Sequence, residues 1–418
     1  MEKDLYLKIG ESFKDKKLRE DIKEITHKRL LELYQQNIPK NIQERYEYEL
    51  NSIIENKFEN IYMLLYYISK KVKEDNEYFL LSGTIGSSFI VYLLGITDID
   101  PIKYNIHFET SSAIEGYRRP NFELVFSMKY LNKIKRYIEV ILKENDMLTD
   151  ETSDDGLKLY LRGNTDLDFV LRLEKLTDKK YTTILLDDKE SLEVLKNANT
   201  LGISEFDYIL VRNMILEIKP NSFEDFVKIS GLSHGTDVWT NNAQELIKNG
   251  TATLNEVIAC RDDIMNYLIE QGADRHTAFS IMEFVRKGRA NKDTWIEQWQ
   301  EYKTKMLEYN IPDWYIKSCE KIKYLFPRAH AVNYVMNSFR LAYYKVHYPK
   351  EFYKTYFEVK VSEKFDFTLL NNKEELIKAI EGLNERTITN ENELDYELHF
   401  LKKDYEVALE MIERGIKI

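Results

Sequence analysis

Between Tyr78 and Thr97 the chain reads YFLLSGTIGSSFIVYLLGIT, a run without one charged side chain. Such a stretch has to be buried, either in lipid or in a protein core. Its centre decides between the two. SGTIGSS is too polar and too rich in glycine for a membrane span, so the run is expected to fold as a strand, a tight loop and a buried helix. Glycines and small hydroxyls between a strand and a helix leave backbone N–H groups open at a helix N-terminus, which favours an anion. Gly83, Thr84, Gly86 and Ser87 are therefore candidate phosphate-contacting residues.

A second strand is expected in YRRPNFELVFS (117–127), where Phe122, Leu124 and Phe126 alternate with Asn121, Glu123 and Val125. GLKLYLRG (156–163) reads as another short strand, after a helix over MKYLNKIKRYIEVILKEN. Residues 15–76 read as helical with a break at Pro39. From Leu167 onward the pattern is mostly helical. Thr253 and Glu256 have the spacing of a capping box opening a helix that Gly272 closes, and another helix is expected from Ala329 to His347, stopped by Pro349. Two amphipathic helices end the chain. The fold class is α+β, a mixed first part followed by a helical second part.

Composition narrows the function classes. With 418 residues, 43% hydrophobic and 31% charged, the chain is a soluble globular protein of two or three domains. A net charge of −11 argues against indiscriminate coating of nucleic acid. Residues 281–350 nevertheless hold 13 Lys/Arg against 7 Asp/Glu, which fits either a confined phosphate-contacting patch or a solvated helical face. Cys260 and Cys319 show no metal spacing and the N-terminus no signal peptide, so a cytoplasmic location is expected. The seven histidines include no HExxH pair, and Gly231–Gly235, although it matches G-x-S-x-G, follows a helical pattern rather than the strand a nucleophile elbow needs. His330, at a helix start beside Arg328, could face phosphate or serve packing.

Several runs together resemble the PolC-type DNA polymerase III alpha subunit of bacteria. They are YELNSIIENKF, GSSFIVYLLGITDIDP, ISGLSHGTDVWTNNAQELIKNGTATLNEVIACRDDIMNYLIEQG, VRKGRANK, KIKYLFPRAHAVNYV and AYYKVHYP. The resemblance is nearly continuous from Gly202 to Lys360, matching the family's fingers, and patchier before residue 165, matching a reduced palm. It implies a nucleotidyltransferase-like (polymerase beta-like) palm without thumb at 1–165, helical fingers at 166–358 and C-terminal helices at 359–418. The family's palm strand reads P-D-h-D and a third aspartate lies in LKLDILG. The matching positions here are Asn121, Glu123 and Tyr160. Two-metal phosphoryl transfer needs anionic oxygens around cations roughly 3.5–4 Å apart. Asparagine and tyrosine are neutral at pH 7, and a lost stabilisation of about 4 kcal/mol slows a reaction about a thousandfold. The resemblance thus implies that no catalytic residue is intact and that no metal or other cofactor is held.

The same resemblance implies nucleotide contacts for Lys158, Tyr324, Arg328 and His330, and for the loop, where Ser82-Gly83-Thr84 stands in place of R-G-S. Set against the family, the sequence has no exonuclease, PHP or OB module ahead of residue 1. Only residues 128–156 lie where the family inserts its thumb, the zinc cysteines are missing from DPIKYNIHFET, and no clamp-binding segment follows ALEMIERGIKI. Expected partners are DNA, dNTP or replisome proteins, with no membrane. Three readings stand: a non-catalytic binding protein, an active nucleotidyltransferase with unusual ligands and Mg²⁺ (Asp98/Asp100 or Asp166/Asp168 as substitutes), or a remnant whose function lies in the C-terminal helices.

Overall fold

The computed structural model describes residues 5–9, 18–35, 37–82, 84–108, 122–145, 157–389 and 396–418. Two compact units are formed, one from residues 1–164 and 227–334, the other from 165–226 and 335–418. Residues 165–226 thus compact with 335–418.

The first unit is built on a four-stranded sheet of order β1-β4-β3-β2, comprising β1 (Leu5–Ile9), β2 (Phe79–Ser82), β3 (Phe122–Ser127) and β4 (Leu157–Asn164). The pair β3–β4 is parallel and the two outer pairings are antiparallel. Alternation works as the sequence predicts. Phe122, Leu124 and Phe126 are fully buried, as are Leu159 and Leu161 on β4, while Glu123 and Val125 face the other way and stay partly exposed. Strand β1 was not expected. LYLKI is short and lies at the edge, and what defines it is pairing to β4, with Leu5 opposite Leu161 and Ile9 opposite Leu157.

Helices α1 (Leu18–Tyr34), α2 (Lys40–Glu55) and α3 (Glu59–Glu74) occupy the segment read as helical, and Pro39 stands at the N-cap of α2. The uncharged run resolves into β2, a 3-10 turn (Thr84–Ser87) and the short helix α4 (Phe89–Leu93), whose Phe89, Ile90 and Val91 are fully buried. A parallel strand pair requires a crossover, which α5 (Met128–Glu144) supplies. Ser127 caps it by accepting from the Tyr130 N–H at 3.3 Å, and Tyr130, Ile134, Ile138 and Leu142 form its buried stripe. Burying each such side chain contributes about 1.5–3 kcal/mol.

The expected capping box at Thr253 proves to be a turn. Glu256 accepts from the Thr253 N–H and hydroxyl at 2.8 and 2.6 Å, but the helix begins only at Arg261. There Asp263 folds back onto the N–H groups of Ala259 and Cys260 at 2.9 and 2.8 Å. A carboxylate three residues along closes whichever N-terminus the chain presents, and Ala259 and Cys260, fully buried, fix the later one. The G-x-S-x-G string lies in the helix Phe223–His234, where Gly231 packs so tightly that an added Cβ would meet Ala259 O at 2.8 Å. Among the described residues no helix is long and apolar enough to cross a membrane.

In the second unit the helix Thr165–Thr177 packs on Pro349–Val359, with Phe169 edge-on to Phe352 at 5.3 Å. Pro349 both follows one helix, Arg328–His347, and opens the next. The two final helices, Lys373–Thr389 and Tyr396–Glu413, pack together, and Lys345 is buried in an ion pair with Glu410 at 2.7 Å.

Candidate functional site

The polar face of the central strand pair brings two of the singled-out positions together. In the parallel register Glu123 of β3 stands opposite Tyr160 of β4, and on the other side Ser82 of β2 is opposite Glu123. Arg162, two residues beyond Tyr160, lies on that face too, and its Nε is 3.4 Å from Glu123 Oε1. The Glu123 side chain is 17% exposed and that of Arg162 50% exposed. Asn121 lies outside the described residues. Lys158 stands two positions before Tyr160 in β4. Among the described residues no group of three or more His, Cys, Asp or Glu side chains could hold a metal.

The loop before α4 carries a second arrangement that sequence reading does not reveal. Gly83 lies outside the described residues. Beyond it Thr84, Gly86 and Ser87 form the 3-10 turn, with Ser87 buried and its carbonyl accepting from Arg45 at 3.1 Å. At the start of α4 the anion position is filled from within. Glu49, fully buried on α2, accepts from Phe89 N at 2.8 Å, from Ile90 N at 3.3 Å and from the Ser88 hydroxyl at 2.9 Å, and it is ion-paired to Arg45. Burial pushes the Glu49 carboxyl up, against the pull of Arg45. A carboxylate some forty residues upstream thus satisfies two N–H groups of α4 itself, those of Phe89 and Ile90, beyond the predicted loop positions.

The three positions around the start of the helix Arg328–His347 differ in exposure. Tyr324 is exposed, on a backbone bridge to Thr236. Arg328 is buried. Its Nε donates to Tyr104 O at 2.7 Å, its N–H donates to Asp262 at 2.9 Å, and its guanidinium lies 3.6 Å from Asp263. Asp263 also pairs with Lys228 at 3.1 Å; burial opposes its charge, but these two cations hold the carboxyl low. His330 is partly buried beside Phe326, whose ring also stacks on His234 at 4.5 Å and on Tyr334 at 5.9 Å. Desolvation, then the charges of Arg261 and His234, push the His330 imidazole down to about 4. At pH 7 it is neutral, so it can hydrogen-bond an anion but adds no charge.

One member of each acidic pair considered as a substitute is engaged by its own surroundings. Asp100 accepts from the N–H groups of Ile102 and Lys103 at 2.9 and 3.3 Å, closing a turn. Asp166, in the second unit, is ion-paired to Lys360 and accepts from Ser204 at 2.7 Å. These groups line a cleft of about 520 Å³ with Asp207, Tyr208, Lys403 and Asp404.

Two family models match the chain. The bacterial DNA polymerase III alpha NTPase domain covers residues 18–149 and the bacterial DNA polymerase III alpha subunit finger domain covers 166–310. The DNA polymerase III PolC-type of Caldanaerobacter subterraneus subsp. tengcongensis is 31% identical over 542 residues, taking in 95% of this chain and 38% of the relative. That of Thermotoga maritima is 30% identical over 541 residues, with the same shares, and that of Bacillus subtilis is 29% identical over 538 residues, with 95% and 37%. This chain belongs to the PolC-like DNA polymerase III alpha family.

The PolC-like chain spans less than two-fifths of the length of these relatives. The matched span of 542 residues is itself longer than the 418 residues present, so the relatives carry internal segments that have no counterpart here. On the sheet face where the family resemblance locates metal-binding aspartates, the PolC-like chain presents a carboxylate already neutralised by arginine, next to a phenol. Mg²⁺ binds through hard anionic oxygens in near-octahedral geometry. Among the described residues, one ion-paired carboxylate does not fit two such ions.

Proposed function

We propose that this PolC-like chain is a non-catalytic relative of the polymerase that binds deoxynucleotide, DNA or a replication partner in the cytoplasm, in an interfering or regulatory role. Residues 1–165 are read as a reduced palm without thumb, 166–358 as fingers and 359–418 as C-terminal helices. The observation that carries the reading is the Glu123–Arg162 pair opposite Tyr160, because it replaces an anionic cradle with a charge-balanced contact. The finger-domain match over 166–310 and the long internal span of the relatives support retained fingers on a shortened palm.

Gly83, Thr84, Gly86, Ser87, Lys158, Tyr324, Arg328 and His330 are the candidate nucleotide-facing positions. Their proposed roles differ. Tyr324, exposed, is the member suited to direct contact with a base or sugar. His330 contributes a neutral hydrogen bond. Arg328, buried and anchored on Tyr104 O, acts by positioning the 104–106 segment.

The test combines primer extension with binding. Purified chain is assayed for dNTP incorporation in Mg²⁺ and Mn²⁺, beside titrations with dNTP and primer-template and a pull-down of replication proteins. Binding without incorporation is expected. Failure to bind any of the three classes would sink the reading.

A further inference from the structure

The helix Ile209–Ile218 of the second unit breaks the rule that a surface helix turns polar side chains outward. Its inward side is ordinary, with Val211, Met214 and Ile215 buried. Of its five exposed positions three are apolar: Ile209, Leu210 and Leu216, at 62%, 51% and 55% exposure, beside Asn213 and Glu217. Ile209 and Leu216 are seven apart and so share one face. A lone surface leucine needs no explanation, but several on one short helix mark a contact surface. Tyr208, immediately before the helix, is exposed too, and with exposed Phe400 it lines the cleft of about 520 Å³. The cleft and the apolar face therefore adjoin at the start of the helix.

Charge selects the occupant. The cleft walls carry six carboxylates against three ammonium groups. Those three are already ion-paired within it, Lys360 with Asp166, Lys403 with Asp207 at 3.0 Å and Lys364 with Glu397. The Lys403 ammonium also lies 5.4 Å from the Tyr208 ring centre and 5.2 Å from that of Phe400, so both exposed rings already serve as cation contacts. The whole unit holds 21 Lys/Arg against 29 Asp/Glu. Such a balance repels nucleic acid, an anionic membrane and a second copy of the same unit, and it attracts a cationic segment.

We propose that the outer face of the helix Ile209–Ile218, with the adjoining cleft, docks a segment of a partner protein whose apolar side chains are flanked by Lys or Arg. The apolar side chains cover Ile209, Leu210 and Leu216, and a flanking cation enters the acidic cleft past Tyr208 and Phe400. The inference rests on the protein-partner branch of the reading above and goes further by naming the face and the partner's chemistry. It uses none of the nucleotide-facing positions, which all lie in the first unit.

Three synthetic peptides of equal length are titrated into the full chain by fluorescence anisotropy: one of Leu and Lys at helical spacing, one with Glu in place of Lys, and one with Ser in place of Leu. The Leu/Lys peptide should bind at least about tenfold more tightly than either control, and more weakly as salt is raised. Replacing Ile209 and Leu216 together with Gln, a good helix former, should weaken that binding about tenfold or more. Circular dichroism of the double variant should match the parent; where it does not, Leu210→Gln alone carries the same comparison. Titrations with dNTP and primer-template should not respond to these variants. No binding of the Leu/Lys peptide, equal binding of either control, or binding that ignores the variants overturns the inference. So does sedimentation in which the parent alone is a dimer that the double variant dissociates, because the occupant is then a second copy. A replication protein captured equally by parent and double variant also overturns it, while keeping the partner branch of the proposed function. Nucleotide or DNA binding that persists in any of these cases leaves that function standing.

Discussion

At the scale of single residues, buried charges do structural work where the sequence suggested ligand contacts. Glu49 is fully buried, paired to Arg45, and satisfies the start of α4. Replacing it with alanine leaves a mostly buried guanidinium without its carboxylate and frees two helix N–H groups. A loss of about 3–5 kcal/mol is expected, read as a lower urea midpoint at unchanged slope; a loss below about 1 kcal/mol would show that the pair is dispensable. His330 gives a pH signature. Its folded-state value of about 4 lies below the ordinary 6.5, so between these values the unfolded chain takes up a proton that the folded chain resists. Its contribution is therefore full above pH 6.5 and is lost as pH falls toward 4. Stability curves of the parent and His330→Gln should converge across that window, whereas parallel curves would refute a neutral imidazole at this position.

At the scale of elements, what could be read from sequence was what local pattern encodes. The strands around Leu124 and Leu159 were legible because one face is wholly apolar and the period is two. The strand Leu5–Ile9 was not, since its identity comes from pairing at the edge of the sheet rather than from its own five residues. The Thr253–Glu256 box was read correctly as a local hydrogen-bonded motif and wrongly as a helix start, because the same contacts close a turn. Arg162 and Glu49 could not be found at all. Each looks like a routine solvent charge on an amphipathic element until tertiary pairing brings its partner near. Gly288 illustrates a constraint visible only in three dimensions. It has φ of +63° just past the helix Arg275–Arg286, and an added Cβ would sit 2.5 Å from the Lys323 carbonyl oxygen. Because that neighbour is backbone, Gly288→Ala should cost about 1–3 kcal/mol by thermal denaturation; an unchanged Tm would mean the turn relaxes freely.

At the scale of the molecule, the chain has an extensive buried interior. Both cysteines are fully buried in the first unit, and burial pushes each thiol well above its ordinary range. Cys260 and Cys319 should therefore stay unlabelled by a thiol reagent in the native protein and react only on unfolding. Rapid labelling of either would show that this interior opens. The sheet's apolar face is buried, and its polar face presents an ion pair where the family resemblance implies aspartates. The primer-extension assay on purified, unmodified chain, in Mg²⁺ and in Mn²⁺, addresses that difference most directly. No incorporation is expected with either ion. Metal-dependent dNTP incorporation that disappears in Glu123→Ala would contradict it.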